Sequence, residues 1–331
     1  MKIINKLKKF NNNIENFLSK DTLNTLDILY NISLKENENI FLVGGIVRDI
    51  IMGRSTHDID IVYTGDVFAL GTTICNLFEV ENSRFNKNFL TFNISLKNNI
   101  NVDIATPRTE TYKHSGALPT VKKSSLEQDY IRRDFTINSL YIKLDKELTL
   151  IDYCDGKNDI TNKKIKILHN KSFIDDPTRI FRAIKFLTRY DFSFESDTEK
   201  LLKKGIADNL LLNISIDRFK NELFHLFQES NREKIISNII DYNVFSCFNT
   251  QSLKINSSRN FLRASKEIFS SKNDIFCKHT KHIKKENILL FLFFMENDPE
   301  KIEEILKYFN FSKKSIKYLI TLKEFYNSSF N

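Results

Sequence analysis

FLVGGIVRDIIMGRSTHDIDIVY, residues 41–63, decides how this chain is read. The stretch predicts a short apolar strand (Phe41, Leu42, Val43), a turn at Gly44–Gly45 and a helix beginning near Ile46 that carries Arg48. A second strand follows, in which Asp58 and Asp60 alternate with Ile59 and Ile61. A strand sends alternate side chains to one face, so the two carboxylates project together while the isoleucines enter a core. Carboxylate oxygens suit a hard cation such as Mg²⁺, and backbone amides at a glycine turn suit phosphate. Either feature alone is weak. Asp-x-Asp is common on surface strands, and the glycine pair is not the spaced fingerprint of a dinucleotide site. Their order and proximity single the stretch out.

Working outward, Thr22–Leu34 predicts a helix whose Leu23, Leu26, Leu29 and Tyr30 form an apolar stripe able to cover a sheet. Phe68–Phe78 reads as a helix, and Arg84–Ser95 and Asn101–Ala105 as further strands, so the first 150 residues predict an α/β unit with a mixed sheet. Asp103, between Val102 and Ile104, is a third strand carboxylate, and it can join Asp58 and Asp60 only if the two strands are neighbours. Residues 107–129 read as a long polar connection holding Arg108, Tyr112, Pro119 and Lys122, either a lid or an ordinary packed excursion, with a helix expected at Leu126–Tyr130. In YIRRDFTINSLY (130–141), Arg132, Arg133, Asp134, Thr136 and Asn138 could hold ribose and phosphate oxygens. A capped, salt-bridged turn leading into a helix explains the same residues equally well. Asp152 and Asp155 read as structural, and Lys163–Leu168 as a short strand.

From about residue 171 the pattern is helical. Asp175-Asp176-Pro177 is a helix start, followed by a basic stripe of Arg179, Arg182 and Arg189. Helical spacing lets Asp175 or Asp176 meet Arg179, and such a pair can read a nucleobase edge or be an ordinary surface ion pair. Arg218 and Glu222, four apart, are expected to brace one helix internally. Further helices are expected at Thr198–Lys204, Asp217–Ser230, Glu233–Tyr242, Ser258–Phe269, Lys285–Met295, Pro299–Phe309 and Lys313–Tyr326.

The 331 residues are enough for two or three small domains. A net charge of +8 favours a polyanionic partner without establishing one, because abundant Lys, Asn, Ile and Phe also follow from AT-rich coding. Cys75, Cys154, Cys247 and Cys277 form no C-x-x-C pair, which argues against zinc or a disulfide framework, and His279 and His282 lack acidic companions. The run 288–295, ILLFLFFM, is too short for a membrane span and reads as a buried helix, and the N-terminus lacks a secretory pattern. A cytoplasmic enzyme with no membrane partner is expected.

Over roughly the first 230 residues the chain resembles the bacterial-type (class II) tRNA nucleotidyltransferase and poly(A) polymerase family. The likeness is carried by LVGGIVRDIIMGRSTHDIDIV, VDIATPRTETY with GALPTV, IRRDFTINSLY, DYCDGKNDI, DDPTRIFRAIKF and SIDRFKNELFHLF. The resemblance implies an α/β nucleotidyltransferase head with a mixed sheet (1–168), then an all-helical neck (169–230) and a helical body and tail (231–331) that bind tRNA. It implies that Asp58, Asp60 and Asp103 hold two Mg²⁺ ions and that Gly44, Gly45 and Arg48 hold the triphosphate. Arg132, Arg133, Asp134 and Asn138 would surround ribose and phosphate. Asp176 and Arg179 would read the incoming base, assisted by Arg182, while Arg218 and Glu222 stabilise the neck. Arg108, Glu110 and Tyr112 would lie in a flexible loop. The family's usual Glu-Asp start is Asp175–Asp176 here, one methylene shorter at the first acid.

The implied activity is CCA addition to the 3′ end of tRNA from CTP and ATP, releasing pyrophosphate. Enzymes adding only A or only CC, and poly(A) polymerases, share these residues. Retention of Arg108, Glu110 and Tyr112 inclines the reading toward intact A addition. A rival of a different class is a non-catalytic RNA-binding protein on an inactive head, against which Asp58 and Asp60 argue.

Overall fold

The computed structural model describes residues 2–35, 37–248 and 285–330. The chain divides into two compact units, the first comprising Met1–Lys113, Leu118–Asn170 and Ser193–Glu195, the second His114–Ala117, Lys171–Phe192 and Ser196–Asn331.

The first unit is built on a mixed seven-stranded sheet. Its strands are β1 (Ile40–Val43), β2 (Asp58–Tyr63), β3 (Val80–Asn86), β4 (Thr91–Leu96), β5 (Asn101–Ala105), β8 (Leu140–Lys143) and β9 (Leu150–Asp152), in the order β3-β4-β5-β2-β1-β8-β9. The pair β2–β5 is parallel and all other neighbours are antiparallel. Alternation sorts the side chains as expected: Ile59, Ile61, Val102 and Ile104 are buried, whereas Asp58 is exposed and Asp60 and Asp103 half-buried. Helices α4 (Gly45–Met52) and α5 (Val67–Leu77) contact these strands, and Asp66 caps α5 by accepting from the Phe68 (2.8 Å) and Ala69 (3.3 Å) N–H groups. Phe41, Val43, Val62, Leu126 and Tyr141 pack together, with Tyr130 and Ile151 against them. Helix α3 (Lys20–Ser33), which follows α1 (Lys2–Leu7) and α2 (Ile14–Phe17), buries Leu23, Leu26, Leu29 and Tyr30, as its stripe predicts.

Four sequence expectations change. Arg84–Ser95 is not one strand but the hairpin β3–β4, because the Asn86 side chain accepts from the Asn88 (3.1 Å) and Phe89 (3.3 Å) N–H groups and turns the chain. The connection 107–129 is not a loop throughout: β6 (Arg108–Thr111) and β7 (Thr120–Lys123) pair as a two-stranded ribbon, while the helix expected at Leu126–Tyr130 forms as α6 (Leu126–Asp129). Residues 130–141 lead through two 3₁₀ turns into strand β8, not a helix. The strand expected at Lys163–Leu168 shortens to Lys164–Ile165, paired in parallel with Ser193–Phe194.

The second unit is helical in its described part. Its elements include α8 (Ser172–Asp175), α9 (Arg179–Tyr190), α10 (Ser196–Ala207), α11 (Ile216–Phe227) and α12 (Arg232–Asp241), then helices Lys285–Phe294, Pro299–Tyr308 and Lys313–Phe330. An aromatic cluster centres on Phe219 of α11. Phe219 meets Phe181 edge to face at 4.9 Å and lies 6.1 Å from Phe245 and 5.8 Å from Phe309. The run Ile288–Phe294 is buried throughout. The expected helix Ser258–Phe269, Cys277 and the basic run with His279 and His282 lie outside the described residues. No helix among the described residues is long and apolar enough to cross a membrane.

Phe219 is 1% exposed, so Phe219→Ala should remove its transfer energy and leave a cavity, costing about 3–5 kcal/mol. The unfolding midpoint in urea, compared with that of the wild type, measures this loss.

Candidate active site

Parallel register aligns Asp60 with Asp103 and Asp58 with Asn101, on the sheet face that also carries Val62 and, through β1, Tyr141. The third carboxylate therefore stands where the neighbouring-strand condition required it. Each acid has a local partner. Asp58 Oδ1 accepts from Asn101 Nδ2 at 2.9 Å, Asp103 Oδ1 accepts from Asn93 Nδ2 at 2.6 Å, and Asp60 accepts from the Gly45 N–H. Burial, then the negative charge of Asp103, pushes the Asp60 carboxyl up to about 6, with Asp58 adding to the rise while Arg133 and the Gly45 N–H oppose it.

The turn beside Asp60 needs glycine. Gly44 has φ +72, and a Cβ there would stand 3.2 Å from Asp60 Oδ2. Arg48, on α4, turns inward. It is 4% exposed, donates from Nε and Nη2 to the two oxygens of Asp49 at 2.9 and 3.0 Å, and from Nη1 to Asn138 Oδ1. Asn138 Nδ2 in turn donates to Asp134 at 3.0 Å. Arg48, Asp134 and Asn138, all expected near the nucleotide, are thus linked to one another in a buried chain of hydrogen bonds.

Arg132 and Arg133 belong to a second network, whose hub the sequence reading missed. Fully buried Asp129 accepts from Arg132 Nε, Arg133 Nη2 and the Tyr141 hydroxyl, each at 2.8 Å, and from the Arg108 N–H at 3.1 Å. Burial alone would raise the Asp129 carboxyl, but Arg133 and Arg132 more than offset it and hold it down to about 2. Glu110 Oε1 accepts from Arg108 Nη2 at 2.9 Å and Arg132 Nη1 at 3.1 Å, and its Oε2 accepts from the Tyr112 hydroxyl at 2.8 Å. The spacing Asp129, Arg132, Arg133, one helical turn, was the legible signal for this hub. Arg133 Nε donates to the Tyr141 hydroxyl at 2.9 Å, and its Nη1 would lie 3.9 Å from a Gly44 Cβ.

In the second unit, Asp176 Oδ1 accepts from the Thr178 N–H (3.2 Å) and hydroxyl (2.8 Å) and from Arg218 Nη2 (3.1 Å). Arg179, 4% exposed, donates from Nη1 to Ser172 Oγ at 2.6 Å, and Arg182 lies 5.4 Å over the Phe186 ring. The expected internal brace of Arg218 with Glu222 is not formed. Arg218 Nη1 donates instead to the Gly116 carbonyl at 2.7 Å, because Asp176 and that carbonyl offer its planar fork two acceptors. Gly116 has φ +75, and a Cβ there would meet the Asn213 carbonyl oxygen at 2.5 Å. Burial raises the Glu222 carboxyl, and the positive charge of Arg182 partly offsets this.

The donor set on the β2–β5 face fits Mg²⁺ in kind: three carboxylates supply hard oxygens, and a cation would relieve the repulsion that raises Asp60. As the side chains stand, no three acidic, His or Cys groups among the described residues close around one point, since Asp58 and Asp103 turn to their asparagines.

Residues 40–166 match the family described as poly A polymerase head domain. The chain is 41% identical over 199 residues to an A-adding tRNA nucleotidyltransferase of Geobacter sulfurreducens, covering 60% of this chain and 22% of that protein. It is 36% identical over 232 residues to the A-adding tRNA nucleotidyltransferase of Halalkalibacterium halodurans, covering 69% of this chain and 54% of that protein. The chain thus spans about half, or less, of the length of these relatives. A solved CCA-adding enzyme in an apo form superposes with a TM-score of 0.77 at 29% identity, covering 94% of this chain and 72% of that one.

The folded Asp60 carboxyl titrates above its ordinary value of 3.8, so the native state binds more protons between about pH 4 and 6 and stability falls as pH rises through that window. In Asp60→Asn this component vanishes. Without divalent cations, the variant should gain on the order of 1–3 kcal/mol relative to wild type between pH 4 and 7, read from urea unfolding at each pH.

Proposed function

We propose, from the premise that by its head domain the chain belongs to the tRNA nucleotidyltransferase and poly(A) polymerase family, that it extends the 3′ end of tRNA within the CCA sequence. ATP and CTP are the nucleotide donors, and pyrophosphate is released. The observation that carries the reading is the alignment of Asp60 with Asp103, two residues from Asp58, beside the Gly44–Gly45 turn.

Asp58, Asp60 and Asp103 would hold Mg²⁺, expected as two ions, which supplies positive charge for the triphosphate and lowers the pKa of the attacking ribose hydroxyl. Asp58 and Asp103 would leave their asparagine amides on binding, a small rearrangement within one strand face. The Gly45 N–H and the guanidinium of Arg133 lie beside Asp60 and are suited to phosphate oxygens, where negative charge grows as the α-phosphorus is attacked. Arg48, Asn138 and Asp134 would act from beneath, keeping the turn rigid. Asp176 and Arg179 offer acceptor and donor groups for a base edge, and Arg218 and Thr178 orient the former. The basic charge of the chain suits a tRNA backbone.

Likeness to two A-adding relatives supports a narrower activity, terminal adenosine only, while likeness to a CCA-adding structure over 94% of the chain supports the whole sequence. Purified protein is given tRNA ending before CCA, in C or in CC, with CTP, ATP or both, and product length is read on a gel. Extension of the CC-ended tRNA by one adenosine is expected in either case, and growth of the shortest tRNA by three residues selects full CCA addition. A long adenosine tail would move the chain to polyadenylation, and no extension of any tRNA would reject the proposal. Asp60→Ala should slow extension by about a thousandfold or more. Extension by Asp58→Ala at the wild-type rate would refute metal catalysis at this face.

A further inference from the structure

Asp129 is 0% exposed, and four donors, from Arg132, Arg133, Tyr141 and the Arg108 backbone, occupy its two oxygens at 2.8–3.1 Å. An ionised carboxylate accepts about four hydrogen bonds, so this one has no capacity left for a ligand. We infer that Asp129 is a positioning residue for the triphosphate of the incoming nucleotide: it fixes the Arg132–Arg133 pair so that one open guanidinium edge faces the Gly44–Gly45 turn. The inference rests on the proposed function and names the residue that prepares its phosphate-binding corner.

The geometry of Arg133 carries the argument. Its Nε and Nη2 are spent on the Tyr141 hydroxyl (2.9 Å) and Asp129 (2.8 Å), and its guanidinium carbon lies 5.1 Å from the Tyr141 ring centroid. One edge of the planar fork is thereby anchored. The remaining nitrogen, Nη1, is the one near Gly44, and it makes no hydrogen bond among the described residues. The turn it faces has φ +72 and no side chain, and Asp60 Oδ2 stands beside it, so a phosphate there would lie between the Arg133 guanidinium and the carboxylate expected to hold Mg²⁺.

Charge tells the same story. Arg108, Arg132 and Arg133 stand against Asp129 and Glu110, three guanidiniums to two carboxylates, leaving one positive charge over. Arg132 and Arg133 repel each other, and burial with that repulsion draws the Arg132 proton affinity down while Asp129 and Glu110 raise it. Neutralising one of the two cations allows the pair to stay buried side by side with a single net positive charge, which faces Asp60 and the turn. Asp129 also accepts from the Arg108 N–H, so the first residue of β6 is fastened to the same carboxylate. A purely structural clasp would do that much without affecting ligand affinity.

Binding of tripolyphosphate and of adenosine to the full chain, with Mg²⁺ present, separates the two roles by calorimetry at a temperature where circular dichroism shows each variant folded. Asp129→Asn should weaken tripolyphosphate by about tenfold or more, and Tyr141→Phe, which deletes one hydroxyl of the network, by about threefold. Adenosine should stay within about twofold for both, and Asp129→Glu should bind tripolyphosphate better than Asp129→Asn. Folded variants that bind tripolyphosphate as wild type does, or that lose both ligands in parallel, overturn the inference. If Asp129→Asn does not fold, Tyr141→Phe decides by the same criteria. Wild-type protein that fails to bind tripolyphosphate overturns the proposed function as well. Wild-type binding matched by the variants overturns the positioning role alone.

Discussion

Parallel pairing of β2 with β5 is the constraint on which the candidate site depends. It sets Asp60 opposite Asp103 with Asp58 one pleat away, an arrangement that like-charge repulsion disfavours. The protein contains that cost locally. Asn101 and Asn93 hold the two flanking acids, and the Gly45 N–H and Arg133 act on the middle one. Glycine at position 44 is then required by its positive φ, and a Cβ there would also crowd Asp60 Oδ2 at 3.2 Å. Strand, turn and helix start are therefore one unit, and a change in any of them would be felt by the carboxylates.

Around this unit the buried charges are shared, not merely paired. Arg48 is divided between Asp49 and Asn138, Arg132 between Asp129 and Glu110, and Arg133 between Asp129 and Tyr141. Sharing spreads the desolvation cost of each ion over several hydrogen bonds and leaves few rotamers open. The same physics recurs in the second unit, where Arg218 spans Asp176 and the Gly116 carbonyl. In both units an arginine is fixed by geometry before any ligand arrives, which is what preorganisation requires.

The candidate site was partly legible because its chemistry lies in short, ordered stretches. Asp58, Asp60 and Asp103 could be assigned to one face from alternation alone once their strands were neighbours. The direction of each arginine could not. Helical spacing allowed Arg218 to meet Glu222, yet Arg218 turns to Asp176 and the Gly116 carbonyl. Long side chains reach several partners at similar cost, so their choice is decided by what the rest of the fold brings near.

The sequence by itself determined the alternation that buries Ile59, Ile61, Val102 and Ile104, the glycine turn, the capped helices and the change to helix after residue 171, because these follow from nearest-neighbour backbone geometry. Only the tertiary structure decided that β5 pairs with β2, that β3–β4 folds back as a hairpin, and that Asp129 stands at the centre of the arginines. Strand order and buried ionic partners depend on contacts between residues far apart in the chain. Their energies come from the exclusion of water at a shared surface, which no local window contains.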